Sequence, residues 1–126
     1  MSMESLSLRR NMFSAETTGP QAGRLLVTLE GSADLRVQHE FGELLHGVHH
    51  EARNLNVDQV VVSMERLEFL NSGCFKSLCS WVRQLITQQG AYKIHILSNP
   101  RHHWQVRSLN ALRLLAPDIV SVETVS

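Results

Sequence analysis

The chain has 126 residues, of which 43% are hydrophobic, enough to bury the core of one domain. Lysine and arginine total 12 against 12 aspartate and glutamate, so no net basic field draws the chain to nucleic acid or anionic lipid. No apolar run approaches a membrane span and the first residues lack the apolar core of a signal peptide, so one cytoplasmic domain over residues 1–126 is expected.

Residues 1–22 are mixed: "ESLSLRRNMFSAET" alternates weakly, as an edge strand does, and "TGPQAG" marks a turn. "RLLVTLE", Arg24 to Glu30, reads as a strand closed by Gly31-Ser32. From about Asp34, an N-cap candidate, the period turns helical, with Val37, Phe41, Leu44, Leu45, Val48, Ala52 and Leu55 at three- and four-residue steps. "RNLNVD" ends that helix. "QVVVSM" follows, a run so apolar that cover on both faces is expected.

The stretch "VVVSMERLEFLNSGCFKSLCSWV", Val60 to Val82, begins as a buried strand and ends as an amphipathic helix, with Asn71-Ser72-Gly73 between them. Phe75, Leu78, Cys79, Val82, Leu85 and Ile86 share one face of that helix, Lys76, Ser77, Ser80, Arg83, Gln84 and Thr87 the other, and Gly90 is the expected stop. "YKIHILS" is the next strand. Trp104 to Ala116 reads as a third helix with Val106, Leu109, Leu112 and Leu115 inward, and "IVSVETV" as the last strand. The order β-β-α-β-α-β-α-β predicts an α/β fold: a single small α/β sandwich, with a mixed, mostly parallel sheet and three crossover helices.

Cys74 and Cys79 lie five residues apart in one helix, which turns them roughly 140° apart around its axis and forbids a disulfide. They read as free thiols. Cys74 sits in a first helical turn, where a thiolate is favoured, yet no base or resolving thiol adjoins it and a small buried hydrophobe is the better reading. Trp81 borders the buried stripe and is expected to be partly buried.

Among seven histidines, His46 and His50 have the one-turn spacing of metal ligands, with His39, His49 and the His102-His103 pair as further candidates. "HGVHH" lacks the glutamate of HExxH and nothing in spacing completes a site, so no metal is assigned. His39, His46 and His50 read as a solvated face. There is no G-x-S-x-G elbow and no Gly-rich phosphate loop, so neither an enzyme nor a cofactor is expected.

"VDQVVVSMERLEFLNSGCFKSLCSWV" resembles the signature of the STAS domain, the module of bacterial anti-sigma factor antagonists. There an apolar strand leads through Phe-apolar-Asp-Ser-Ser/Thr-Gly-apolar into a helix. Phe69-Leu70-Asn71-Ser72-Gly73-Cys74-Phe75 is the matching stretch, and the order of elements is similar over essentially the whole chain. Three positions depart from the pattern: Asn71 replaces Asp, Gly73 the second hydroxyl and Cys74 the Gly. Asn71 keeps the ability to cap, whereas Gly73 costs about 1 kcal/mol against Ala in a helix.

The resemblance implies a partner-switching regulator of transcription, not an enzyme. Its partner would be an anti-sigma factor or a serine kinase of the histidine-kinase-like ATPase fold, phosphorylating the position of Ser72 and thereby releasing the bound protein. The implied contact surface comprises Asn71, Ser72 and Gly73, with Lys76, Ser77 and Ser80 on the outward helix face and Ser32, Ala33 and Asp34 in the loop before the first helix. The alternative is a STAS-like sensory domain holding a small anionic or apolar ligand at the same helix start. A monomer or weak homodimer is expected, with the N-terminal strand as the exposed edge.

Overall fold

A computed structural model of the chain describes residues 6–10 and 12–125; Glu4, Ser5 and Asn11 of the expected edge strand lie outside them. The elements are β1 (Leu8–Arg10), β2 (Phe13–Gln21), β3 (Arg24–Ala33), a 3-10 turn (Leu35–Val37), α1 (Gln38–Asn54), β4 (Gln59–Leu70), α2 (Ser72–Thr87), β5 (Lys93–Ser98), α3 (His103–Leu115) and β6 (Val120–Thr124). They form one six-stranded sheet in the order β1-β2-β3-β4-β5-β6. β1 to β3 pair antiparallel and β3 to β6 parallel.

The expected α/β class, parallel centre and three crossover helices are present. The N-terminal part carries one strand more than the predicted order. β2 continues through "TGP", and the hairpin turns at Ala22-Gly23, both at positive φ, between paired Gln21 and Arg24. Pro20 is tolerated because β1 reaches only Ala15 of β2, so that among the described residues the outer edge around Pro20 is unpaired.

Each strand from β3 to β6 is added on the same side of its predecessor, so crossovers of one hand put α1, α2 and α3 on one face. Leu25, Val27, Leu29, Val60, Val62, Met64, Ile94, Ile96 and Val120 point into that layer and are buried. Their neighbours Leu26, Thr28, Val61, Ser63, His95 and Leu97 point the other way and are exposed or half-buried. The cover expected on both faces of "QVVVSM" is therefore present on one.

α3 also corrects the pattern. Val106 is 64% exposed and Leu115 is exposed too, whereas Gln105 is buried beside Leu109 and Leu112. The amide of Gln105 explains the rotation: Nε2 donates to the carbonyls of Met64 (2.6 Å) and Leu67 (3.0 Å), and Oε1 accepts from the Asn99 N–H at 2.9 Å. The β4–β5 pairing ends at Ser63 and Leu97, before these groups, and a buried amide satisfies them where an apolar side chain cannot.

Trp81 is buried rather than partly exposed. Its Nε1 donates to Tyr92 Oη at 2.6 Å, and that hydroxyl stands 2.7 Å from Nδ1 of His49. With the indole donating to the phenol oxygen, the phenol proton is available to Nδ1 when the imidazole is neutral. Burial lowers the pKa of His49, and the nearby Arg53, His46 and His50 add to the effect against a hydrogen bond with the Gln88 side chain that favours the protonated ring. The unfolded chain then binds more protons than the folded one, so this contribution is complete above the ordinary pKa of 6.5 and is lost as pH falls below it. Urea midpoints measured from pH 7.5 to 5.5 are expected to fall, with a limiting slope of about 1.4 kcal/mol per pH unit from this site. His49→Gln should flatten that slope; an unchanged slope would contradict the assignment.

Candidate functional site at the strand-helix rim

Parallel pairing of β3 and β4 brings their carboxyl ends to one rim. Ala33 pairs with Leu70, and Asn71 N donates to Ala33 O at 2.9 Å, so the β3–α1 and β4–α2 junctions adjoin. Asn71 is extended (φ −76°, ψ 168°) and caps α2, its Oδ1 accepting from Cys74 N at 2.8 Å. Its Nδ2 donates to Gln38 Oε1 at 3.0 Å, which ties the start of α2 to the start of α1.

Gly73 has a structural reason that its sequence position conceals. A Cβ there would come within 2.1 Å of Gln38 Oε1, so the tie between Asn71 and Gln38 exists only over a bare backbone. Asn71→Ala removes both the cap and the tie and is expected to cost about 2 kcal/mol, read by urea unfolding. A loss below about 0.5 kcal/mol would mean that neither bond survives in solution.

Ser72, the first residue of α2, is exposed, while its neighbour supplies the cap. The predicted contact residues divide. Lys76 and Ser80 are exposed and Ser77 half-buried, its hydroxyl donating to Gly73 O at 3.3 Å. Together with Gly42, His46 and Gln84 they line a cleft of about 210 Å³ between α1 and α2. Ser32 and Ala33 belong to the end of β3 rather than to a loop. Ala33 is 0% exposed, since strand alternation turns it inward with Leu29, and it offers no side chain to a partner.

Asp34 is half-buried and caps the 3-10 turn, not α1, which begins at Gln38. Its carboxylate accepts from Arg36 N at 2.9 Å and pairs with the Arg36 guanidinium at 2.8 Å, which holds its pKa below the usual carboxylate value. Asp34 lies close enough to α2 to act on the Cys74 thiol. Burial, more than that charge, pushes Cys74 up to about 11 and overrides the helix N-terminus. Cys79 is also raised by burial. Thiol reagents at neutral pH are thus expected to leave Cys74 unmodified until the protein unfolds; labelling of Cys74 in the folded protein would contradict its burial.

Two rim residues escape a periodicity reading. Leu35, 76% exposed, follows Asp34, and Phe69, 48% exposed, precedes Leu70. A bulge shifts the β3–β4 register between Gly31 and Ser32, which pairs Phe69 with Ser32. Met12 is also exposed there, its carbonyl accepting from Ser32 N at 2.9 Å. Large apolar side chains left exposed around a polar helix start are a feature of docking surfaces. Among the described residues, no three His, Cys, Asp or Glu side chains converge as metal ligands, and no helix is long and apolar enough to cross a membrane.

No family model matches the chain, and no curated protein matches it in sequence. Solved structures do. A chain from the complex of the diguanylate cyclase SiaD with its activator SiaC from Pseudomonas aeruginosa superposes with TM-score 0.66 at 17% identity, covering 94% of this chain and 98% of that one. An anti-sigma factor antagonist from Mycobacterium paratuberculosis gives 0.64 at 16% identity, covering 83% of each chain. The Bacillus cell fate determinant SpoIIAA in its phosphorylated form gives 0.57 at 15% identity, covering 87% and 91%. The anti-sigma factor antagonist SpoIIAA in its unphosphorylated form gives 0.58 at 16% identity, covering 87% and 88%. With the strand order and helix layer above, these superpositions show that the chain has the fold of the anti-sigma factor antagonists, as the STAS resemblance implied.

Proposed function

We propose that this domain is a non-enzymatic, cytoplasmic regulatory module that docks a protein partner through the rim around Ser72, and that phosphorylation of Ser72 ends the docking. The observation that carries this reading is the division of labour at the start of α2. Asn71 makes the capping bond, so the exposed hydroxyl of Ser72 is free for modification without loss of the helix. A phosphate there would add nearly two negative charges at a helix N-terminus, which tolerates them, in a contact face that would not.

Two further facts support it. Leu35 and Phe69 leave exposed apolar side chains at the same β3–β4 rim. SpoIIAA is known in both an unphosphorylated and a phosphorylated form, and SiaC is the activator in its complex with SiaD. The partner expected on this reading is an anti-sigma factor or a serine kinase of the histidine-kinase-like ATPase fold.

The test is isolation of the tagged protein from its native cells, as wild type and as Ser72→Glu, with bound proteins identified by mass spectrometry. A regulator or kinase of that type bound to wild type and absent from Ser72→Glu is the expected result. The same partner on both forms would place docking elsewhere. No protein on either form would favour a small ligand at the helix start instead.

A further inference from the structure

β6 closes one side of the sheet, and its outer edge is unpaired among the described residues. Ile94 N donates to Ile119 O at 2.9 Å and Val125 N to Ser98 O at 2.8 Å, so the odd-numbered residues bond to β5. Alternation along a parallel ladder then turns the backbone groups of Val120, Val122 and Thr124 outward. The N–H of Val120 is taken by Ala116 O at 2.9 Å. The Val120 carbonyl, both groups of Val122 and the Thr124 N–H remain for an incoming strand.

Beside this edge runs a cleft of about 250 Å³ between β6 and α3, floored by Leu109 and Val122 and flanked by Val106, Asn110, Arg113 and Thr124. Val106, on its rim, is 64% exposed. From Asn99 to Pro117 the chain carries Arg101, Arg107 and Arg113 and no carboxylate. None of the three arginines pairs with an acid among the described residues; Arg113 donates to Asn110 Oδ1 at 2.8 Å. The one acidic side chain of β6, Glu123, points to the opposite face and is held by His95 at 2.9 Å.

We propose that this edge is a second docking site, which takes an extended acidic peptide segment of a partner protein as a seventh strand. The free backbone groups supply register and the cleft receives the apolar side chains of every second residue. Arg113, on the wall of the cleft and unpaired with any acid among the described residues, selects carboxylates on the same segment. Proline at 122 removes one outward N–H and no internal ladder bond, so that substitution leaves the fold in place.

Random peptides displayed on phage and selected on the full chain provide the probe, and the best peptide is then synthesised with a fluorophore. Selection is expected to enrich alternating apolar residues with Asp or Glu. Binding should weaken about tenfold in Val122→Pro, where backbone hydrogen bonds are lost. It should also weaken several-fold in Arg113→Glu and with added salt, and stay unchanged in Ser72→Glu. Amide exchange at Val122 and Thr124 should slow when the peptide binds wild type. Failure to select any peptide, equal binding to Val122→Pro, or unchanged exchange at those two amides would overturn the proposal. So would exchange that slows with protein concentration alone, since a second copy would then be the occupant.

Discussion

Ser72→Glu is expected to weaken partner binding by about 30-fold or more while the thermal midpoint stays the same or rises slightly. An unpaired charge buried in an interface costs about 2–5 kcal/mol, the equivalent of some 30- to 5,000-fold in affinity. In the free protein the same carboxylate sits in the first turn of α2, where it gains about 0.3–1 kcal/mol from the helix N-terminus. The two effects have opposite signs, and that separates a docking residue from a structural one. Ser72→Ala should bind with nearly wild-type affinity, because Asn71 holds the cap at 2.8 Å without it. Titration calorimetry with the isolated partner, beside thermal unfolding of each variant, reads both quantities. A Ser72→Glu that unfolds early and binds normally would reverse the assignment.

Gln105→Leu is expected to destabilise the domain by about 3 kcal/mol. Buried Gln105 serves three backbone groups, the carbonyls of Met64 and Leu67 and the N–H of Asn99. Each orphaned polar group costs about 1–3 kcal/mol, partly offset by the apolar surface that leucine adds. The same stretch of β4 is held by Asn99 Nδ2 on Glu65 O at 3.0 Å and Trp104 Nε1 on Leu67 O at 3.2 Å. It leads directly into Phe69 and Asn71, so its loosening should also reduce partner affinity. Urea unfolding reads the first effect. A loss below about 1 kcal/mol would mean that water reaches these groups and replaces the amide.

The elements that periodicity revealed are those with one buried face, and α1 is the clearest: Phe41, Leu44, Leu45, Val48 and Ala52 all lie in the core. β1 and β2 blurred into one because β1 has three residues, none of them buried, and β2 buries only its first half in alternation. α3 was misjudged by one position, since hydropathy ranks Val106 above Gln105 and cannot register carbonyls of β4 that need a donor. At the site, the Asn71 cap was legible from residue type alone. The need for Gly73 was not, because Gln38 approaches it from another helix. Leu35 and Phe69 were hidden for the same reason: a bulge in the β3–β4 register, invisible in either strand alone, decides which way Phe69 points.

The central claim is that one exposed serine beside an independent cap both contacts the partner and controls it. Its most direct test is to separate partner-bound from free protein in native extracts and map phosphate in each fraction by peptide mass spectrometry. Phosphate is expected on Ser72 in the free fraction and none there in the bound one. Phosphate on Ser72 in equal proportion in both fractions, or on neither, would contradict it.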